Sequence, residues 1–231
     1  MKNLNIVVSH YNEDINWVNE LDYPVFIYSK TIKSEKNIKL QKNNIGNEAT
    51  SYLEYIVDNY DNLSDWVYFC HGHNESYHQN HPNNFLIKNI NLNKIEDGYL
   101  NTNNYYNKIN KDKTETILTN IQTVDNKPFL IIKDFFEIFL NNFFKMPSFF
   151  DSYACAQFFV KKELIKSNDV LFYKKCLEWF YNGESELFDK KWNVGKNIYS
   201  SRVFEWLWYF IFTKKNVEKI VKLDNYFNYE R

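Results

Sequence analysis

The sequence predicts a single α/β domain, a mixed sheet flanked by helices with a helical C-terminal part. Three observations carry this. Short apolar runs alternate with stretches of three- and four-residue periodicity through the first seventy residues. No Pro/Gly/Ser-rich or strongly charged linker divides the 231 residues, so residues 1–231 are taken as one domain. Hydrophobic residues at 44% and aromatic residues at 19% supply ample material for a core.

The elements follow in order. Leu4 to Ser9 is a short apolar strand, followed by the polar turn His10-Tyr11-Asn12-Glu13-Asp14. Ile15, Val18 and Leu21 then recur at helical spacing, with Asn12 as N-cap and Glu13 and Asp14 on the first turn, where carboxylates suit the helix dipole. Pro24 ends that helix, and Val25-Phe26-Ile27-Tyr28 completes a βαβ unit. After a polar stretch, Gly46 opens an amphipathic helix carried by Ala49, Tyr52, Leu53, Ile56 and Tyr60. Trp66 to Cys70 is a third, buried strand, with His71-Gly72-His73 just past it. The Asn-rich segment from Pro82 to Asn126 is weakly periodic and reads as loops with a helix or two. Phe129 to Phe144 has the spacing of a strong helix stopped by Pro147, Ala156 to Val160 reads as a strand, and helices follow near Leu171 to Tyr181 and Ser200 to Phe212.

Composition excludes several classes. Lys+Arg at 28 against Asp+Glu at 29 leaves a formal charge of −1, with no global field to recruit nucleic acid. Three widely separated cysteines, Cys70, Cys155 and Cys176, argue against a disulfide framework and for a reducing compartment. The opening MKNLNIVVSH lacks the apolar core of a signal peptide, and the apolar run from Val203 to Phe212 is well under the roughly 20 residues a helix needs to cross a bilayer. The expectation is a cytoplasmic protein without a membrane span. Asn is roughly one residue in seven, far above ordinary usage.

Ligands of open α/β sheets bind outside the carboxyl ends of the strands, so polar residues after strands are the first candidates. Asn44-Ile45-Gly46-Asn47-Glu48 opens a helix whose free N–H groups offer an anion site; the plain alternative is a capped N-terminus with Glu48 on the dipole. His71, His73, His78 and His81 fall within eleven residues and, with Glu75, offer metal ligands, although the spacing matches no tight zinc pattern and solvated loop histidines are the default. Cys70 is expected in the core, since it and His71 point to opposite faces of a strand. Asp151 and Glu205 are carboxylates in settings where burial can raise a pKa towards general-base use; an ordinary ion pair is the alternative for Glu205. Trp206 and Trp208 read as core before they read as a sugar-stacking surface.

The blocks from Val7 to Asp14, Asn44 to Ala49, Tyr52 to Leu63 and Phe69 to His73, with Ala156 to Val160 and Glu205 to Trp208, together resemble a family of fungal and large-virus proteins of unassigned activity. That family is in turn similar to GT-A glycosyltransferases, Rossmann-like proteins with a Tyr-Asn-Glu turn after the first strand and an Asn-x-Gly-x-Asp/Glu helix start. The resemblance implies a nucleotide-binding half at about residues 1–81 and an acceptor-side half at about 128–213. It further implies a glycosyltransferase-like enzyme passing a sugar from a nucleotide-sugar donor to a saccharide or protein hydroxyl. Tyr11, Asn12, Glu13, Asn44, Gly46 and Glu48 would hold the donor, His71 and His73 would lie by its diphosphate, and Asp151 or Glu205 would be the base. His71-Gly72-His73 stands where those enzymes carry a metal-binding acidic pair. Either the site takes a divalent ion (Mn²⁺ or Mg²⁺, or Zn²⁺ on the histidines), or cationic and neutral side chains replace it. A His-cluster metal hydrolase and a catalytically inactive binding module on the same fold are the alternatives.

Overall fold

A computed structural model describes residues 3–31, 38–41, 44–116, 121–123, 126–192, 198–218 and 222–228. Its central sheet has six strands in the spatial order β3 (Ile38–Leu40), β2 (Val25–Ser29), β1 (Leu4–His10), β4 (Trp66–His71), β10 (Phe158–Lys161) and β5 (Tyr99–Asn101). β1 pairs in parallel with β2 and with β4, and β2 with β3; β10 runs antiparallel to both its neighbours. All seven residues of β1 are buried, as a central strand covered on both faces requires.

Alternation along the strands divides them between two cores. Val7, Phe69 and Phe158 belong to a large aromatic cluster with α1 (Asn47–Asn59), α3 (Lys127–Ile138), α5 (Val170–Tyr181) and α7 (Tyr199–Thr213). Ile6, Val8, Tyr68, Cys70 and Phe159 face a second cluster with Trp17 and with Leu86 and Ile87 of α2 (Asn83–Asn89). The same parity turns Ser9 and His71, paired in register, towards the α1 face, and His10 towards the other.

A second, antiparallel sheet has the order β8 (Ile121–Thr123), β7 (Thr114–Thr116), β6 (Tyr106–Asn110) and β9 (Phe149–Tyr153). Most of it comes from the Asn-rich segment read above as loops and helices. The strands there are short and alternate Asn with Tyr, Ile and Thr, which leaves a weak apolar period. The helix expected after Asn12 is a 3-10 turn, Asn16–Glu20, without a side-chain cap. Glu13, placed in that helix by the sequence pattern, instead bends back to accept the Tyr11 backbone N–H at 2.6 Å. The long helix expected to Phe144 ends at Ile138 and continues as a 3-10 turn, Leu140–Asn142. Helices α4 (Lys162–Ile165) and α6 (Glu184–Trp192) carry too few apolar residues for the pattern to have marked them. Trp206 and Trp208 are core residues, at 7% and 1% exposure. Cys70 is fully buried with its thiol on the Val7 carbonyl, and burial pushes its pKa up, away from nucleophilic use.

Candidate functional site

From β1 the chain winds to β2 and β3 on one side, then returns to β4 on the other, so the winding reverses between β1 and β4. Outside the carboxyl ends of these strands lies a polar cleft of about 270 Å³. Ser9, His10, Tyr11 and Glu13 come to it from the end of β1, Lys30 from the end of β2, and His71 and His73 from the end of β4. Asn44, Asn47 and Glu48 close it from the start of α1.

Each wall is fixed by local chemistry. His10 is buried, its Nδ1 2.9 Å from Ser29 Oγ and its Nε2 3.1 Å from the Glu13 carbonyl. The Glu13 carboxylate also lies 3.7 Å from His73 Nε2. Gly72 makes this approach possible, since a Cβ there would stand 2.8 Å from Glu13 Oε2. Asn12 is exposed beside this turn and does not line the cleft. Lys30 Nζ donates to the Ile45 carbonyl at 2.8 Å and to Thr50 Oγ1 at 3.2 Å, tying β2 to the start of α1. Burial lowers its pKa to about 8, partly offset by Glu48 and Glu54.

Gly46 and Asn47 both have positive φ, 69° and 46°, and turn the chain into α1. A Cβ on Gly46 would sit 2.7 Å from Phe180 and from the Thr50 methyl, so glycine is required by space as well as conformation. The turn aims Glu48 into the cleft, where Glu48 Oε1 is buried with no hydrogen-bond partner. Asn47 Nδ2 donates to Ser201 Oγ at 3.0 Å, docking α1 on α7. Glu205, one turn beyond Ser201, therefore comes up beside Glu48. Burial first, and then the neighbouring Glu205 charge, raises the Glu48 pKa; burial also raises that of Glu205, against the pull of Arg202 and a hydrogen bond from the Cys155 backbone. Cys155 itself has φ 66°, a conformation held by surrounding bonds: Asn103 Nδ2 to the Cys155 carbonyl at 2.9 Å and the Tyr52 hydroxyl to the Ala156 carbonyl at 2.7 Å.

His71 is the last residue of β4 rather than part of a solvated loop. Its backbone N–H donates to Gln157 Oε1 at 3.1 Å, while its ring Nε2 is buried without a partner. Burial, with His78 and His73 nearby, lowers its pKa to about 3, so the ring is neutral at working pH. Behind it runs a buried network: Asn83 Nδ2 to Gln157 Oε1 at 3.2 Å, His78 Nδ1 to Asn103 Oδ1 at 2.8 Å, and Tyr68 hydroxyl to Asn83 Oδ1 at 2.6 Å. Glu48 Oε1 and His71 Nε2 are thus two buried polar atoms without partners, on residues that line one cleft.

Asp151, grouped with Glu205 as a base in the sequence, lies elsewhere. It sits on β9 opposite Lys108, its backbone held by Asn216 and Val217, and does not line the cleft. His78 is buried and His81 stands 3.6 Å from Asp224, so the four histidines do not converge. Among the described residues no group of three or more His, Cys, Asp and Glu side chains could hold a metal ion. The two histidines expected beside the divalent ion, His71 and His73, both line the cleft, with no such group of three around them among the described residues. Sequence reasoning missed Lys30, Gln157 and Asn103. Lys30 was within reach of the strand-end rule, for it follows β2 directly; the other two act only through long-range pairing.

A larger cleft of about 950 Å³ opens between Phe143, Phe144, Phe172 and Phe210. It is mostly apolar, and of its two lysines, Lys145 and Lys214, the second is engaged with Asn168 Oδ1 and the Ile211 carbonyl at the end of α7. It lacks the convergent open polar atoms of the switch-point cleft. No helix among the described residues is long and apolar enough to cross a membrane.

No curated protein and no solved structure matches the chain. A family model described as a protein of unknown function, DUF3431, matches residues 6–226, which takes in both sheets and every residue of the cleft, and the chain belongs to that family.

Proposed function

We propose that the chain is a glycosyltransferase-like enzyme that moves a sugar from a nucleotide-sugar donor to a hydroxyl acceptor at the switch-point cleft. One observation carries the reading: Glu48 and His71 line the same polar cleft, each with a buried, unpartnered polar atom (Oε1 and Nε2), beside a second raised carboxyl, Glu205. The protonated Glu48 and neutral His71 are a donor and acceptor pair without net charge. That chemistry suits sugar hydroxyls better than a phosphate. The sugar diphosphate fits the cleft, with Lys30 and the first N–H groups of α1 towards the diphosphate. The nucleoside rests outside on Tyr11, whose ring is 46% exposed.

In the reaction the acceptor oxygen forms a bond to the anomeric carbon as the bond from that carbon to the diphosphate breaks. The acceptor proton passes to a carboxylate, and a nucleoside diphosphate leaves. Glu205 is the better base of the pair: burial and the facing Glu205 charge both raise Glu48, whereas burial alone raises Glu205, against Arg202 and the Cys155 N–H. A carboxylate whose pKa lies near working pH combines the right protonation state with enough basicity. Release of nucleoside diphosphate from a panel of nucleotide sugars tests the reading. Wild-type protein should turn over at least one donor, and Glu205→Gln should slow it on the order of 100-fold while still binding it. Release by neither protein from any donor contradicts transfer; binding without release identifies an inactive module on this scaffold.

A further inference from the structure

We propose that Tyr77 and Tyr105 form the stacking platform that takes a saccharide acceptor and presents its hydroxyl to Glu205. The inference rests on the transferase reading above and adds the acceptor's chemical class.

Tyr77 is 86% exposed, an unusual place for so large an apolar ring to be held in a defined pose. Its ring meets Tyr105 edge-on at 6.1 Å and His78 edge-on at 5.1 Å. His78 is in turn fixed by Asn103 and packs edge-on against His71 at 5.5 Å. The ring is therefore supported from behind by other rings with a free face outwards. The Tyr105 carbonyl accepts the Ala154 N–H at 3.0 Å, and the next residue, Cys155, gives its backbone hydrogen bond to Glu205. One short strap, held in place by Tyr52 and Asn103, thus sets both the platform and the carboxyl. Arg202 stands by the same carboxyl and has no carboxylate within 4.0 Å among the described residues. A sugar ring offers an apolar C–H face to an aromatic ring and turns its hydroxyls outwards to polar groups, which is the pairing this surface provides. A nucleobase would also stack on a tyrosine, but in the reading above the nucleoside takes Tyr11, which lines the cleft as Tyr77 and Tyr105 do not.

The test uses the full chain, with lactose, cellobiose and chitobiose as probes in saturation-transfer NMR, and nucleotide sugars in a thermal-shift assay. At least one disaccharide should show transfer to wild-type protein. Tyr77→Ala should weaken it about tenfold, Tyr77→Phe should retain it, and neither should alter the nucleotide-sugar shift. Because Tyr77 is exposed, unchanged thermal stability of the variants verifies their fold. Transfer from none of the three probes, undiminished binding in Tyr77→Ala, or loss of nucleotide binding instead of saccharide binding each overturns the platform. If no nucleotide shifts the wild-type protein while saccharide binding still depends on Tyr77, the transferase reading fails and the platform stands as a saccharide site.

Discussion

Glu48→Gln should make the protein more stable, and only above acid pH. In the fold the Glu48 carboxyl rises from 4.5 to about 8, through burial and the neighbouring Glu205. At about 1.4 kcal/mol for each tenfold change in the proton equilibrium, the fold favours the protonated form by ~5 kcal/mol. A raised acid binds its proton more tightly in the native state than in the unfolded one. Its contribution is therefore complete below pH 4.5 and is lost as pH rises through 8. Gln is the isostere of the protonated form and cannot ionise. The variant and wild-type stability curves should coincide near pH 4 and diverge steadily to pH 8, where half of the native acid is ionised and the variant leads by ~4 kcal/mol, or on the order of 10 °C in Tm for a chain of this length. Glu205, raised to about 7 by burial, titrates in the same window in both proteins, and Lys30, with its pKa near 8, begins to lose its charge only at the upper end. Urea unfolding at half-unit pH steps measures the divergence. Parallel curves would mean that residue 48 ionises in the fold as it does in water, and would remove the argument for a neutral sugar-binding floor.

Further outcomes follow from the same geometry. Gly46→Ala meets Phe180 and Thr50 at 2.7 Å in a left-handed backbone and should cost about 3 kcal/mol in denaturant unfolding. Gly72→Ala pushes against Glu13 alone, a movable side chain; it should cost about 1 kcal/mol and weaken nucleotide binding, as titration calorimetry would show. Lys30→Met should weaken nucleoside diphosphate binding about tenfold at pH 7, and the gap should close above pH 8 as the wild-type lysine loses its charge. Gln157→Leu strands the His71 N–H and takes one of the two acceptors of Asn83 Nδ2, which keeps the His73 carbonyl, and should lower stability by about 2 kcal/mol.

Much of this could be read along the chain. The strands β1, β2 and β4 are continuous apolar runs because they are buried on both faces, and such runs announce themselves. Gly46 and Glu48 stood out at a helix start, and Glu205 as a charge inside an aromatic helix that had either to face solvent or to meet a partner. It meets Glu48 and the Cys155 backbone. What stayed hidden depends on pairing between distant segments. The second sheet joins β6 to β9 across some forty residues, and neither strand carries a strong period alone. Asp151 and Glu205 were both candidate bases as acids beside apolar runs; pairing in the second sheet sets Asp151 opposite Lys108, while α7 brings Glu205 up beside Glu48. The histidines suggested a shared metal by proximity in sequence, whereas His71 ends a strand, His78 is buried in an Asn network and His81 turns to Asp224.

The most direct test of the central claim is thermal unfolding of the wild-type chain against a panel of nucleoside diphosphates and nucleotide sugars, each with and without Mn²⁺. A ligand at about one hundred times its Kd adds about 2.7 kcal/mol to the native state, a rise of several degrees. At least one nucleotide sugar should give that rise, and should give more than its nucleoside diphosphate alone, because Glu48 and His71 engage the sugar. No rise with any member of the panel would contradict a nucleotide-sugar site at the ends of β1 and β4.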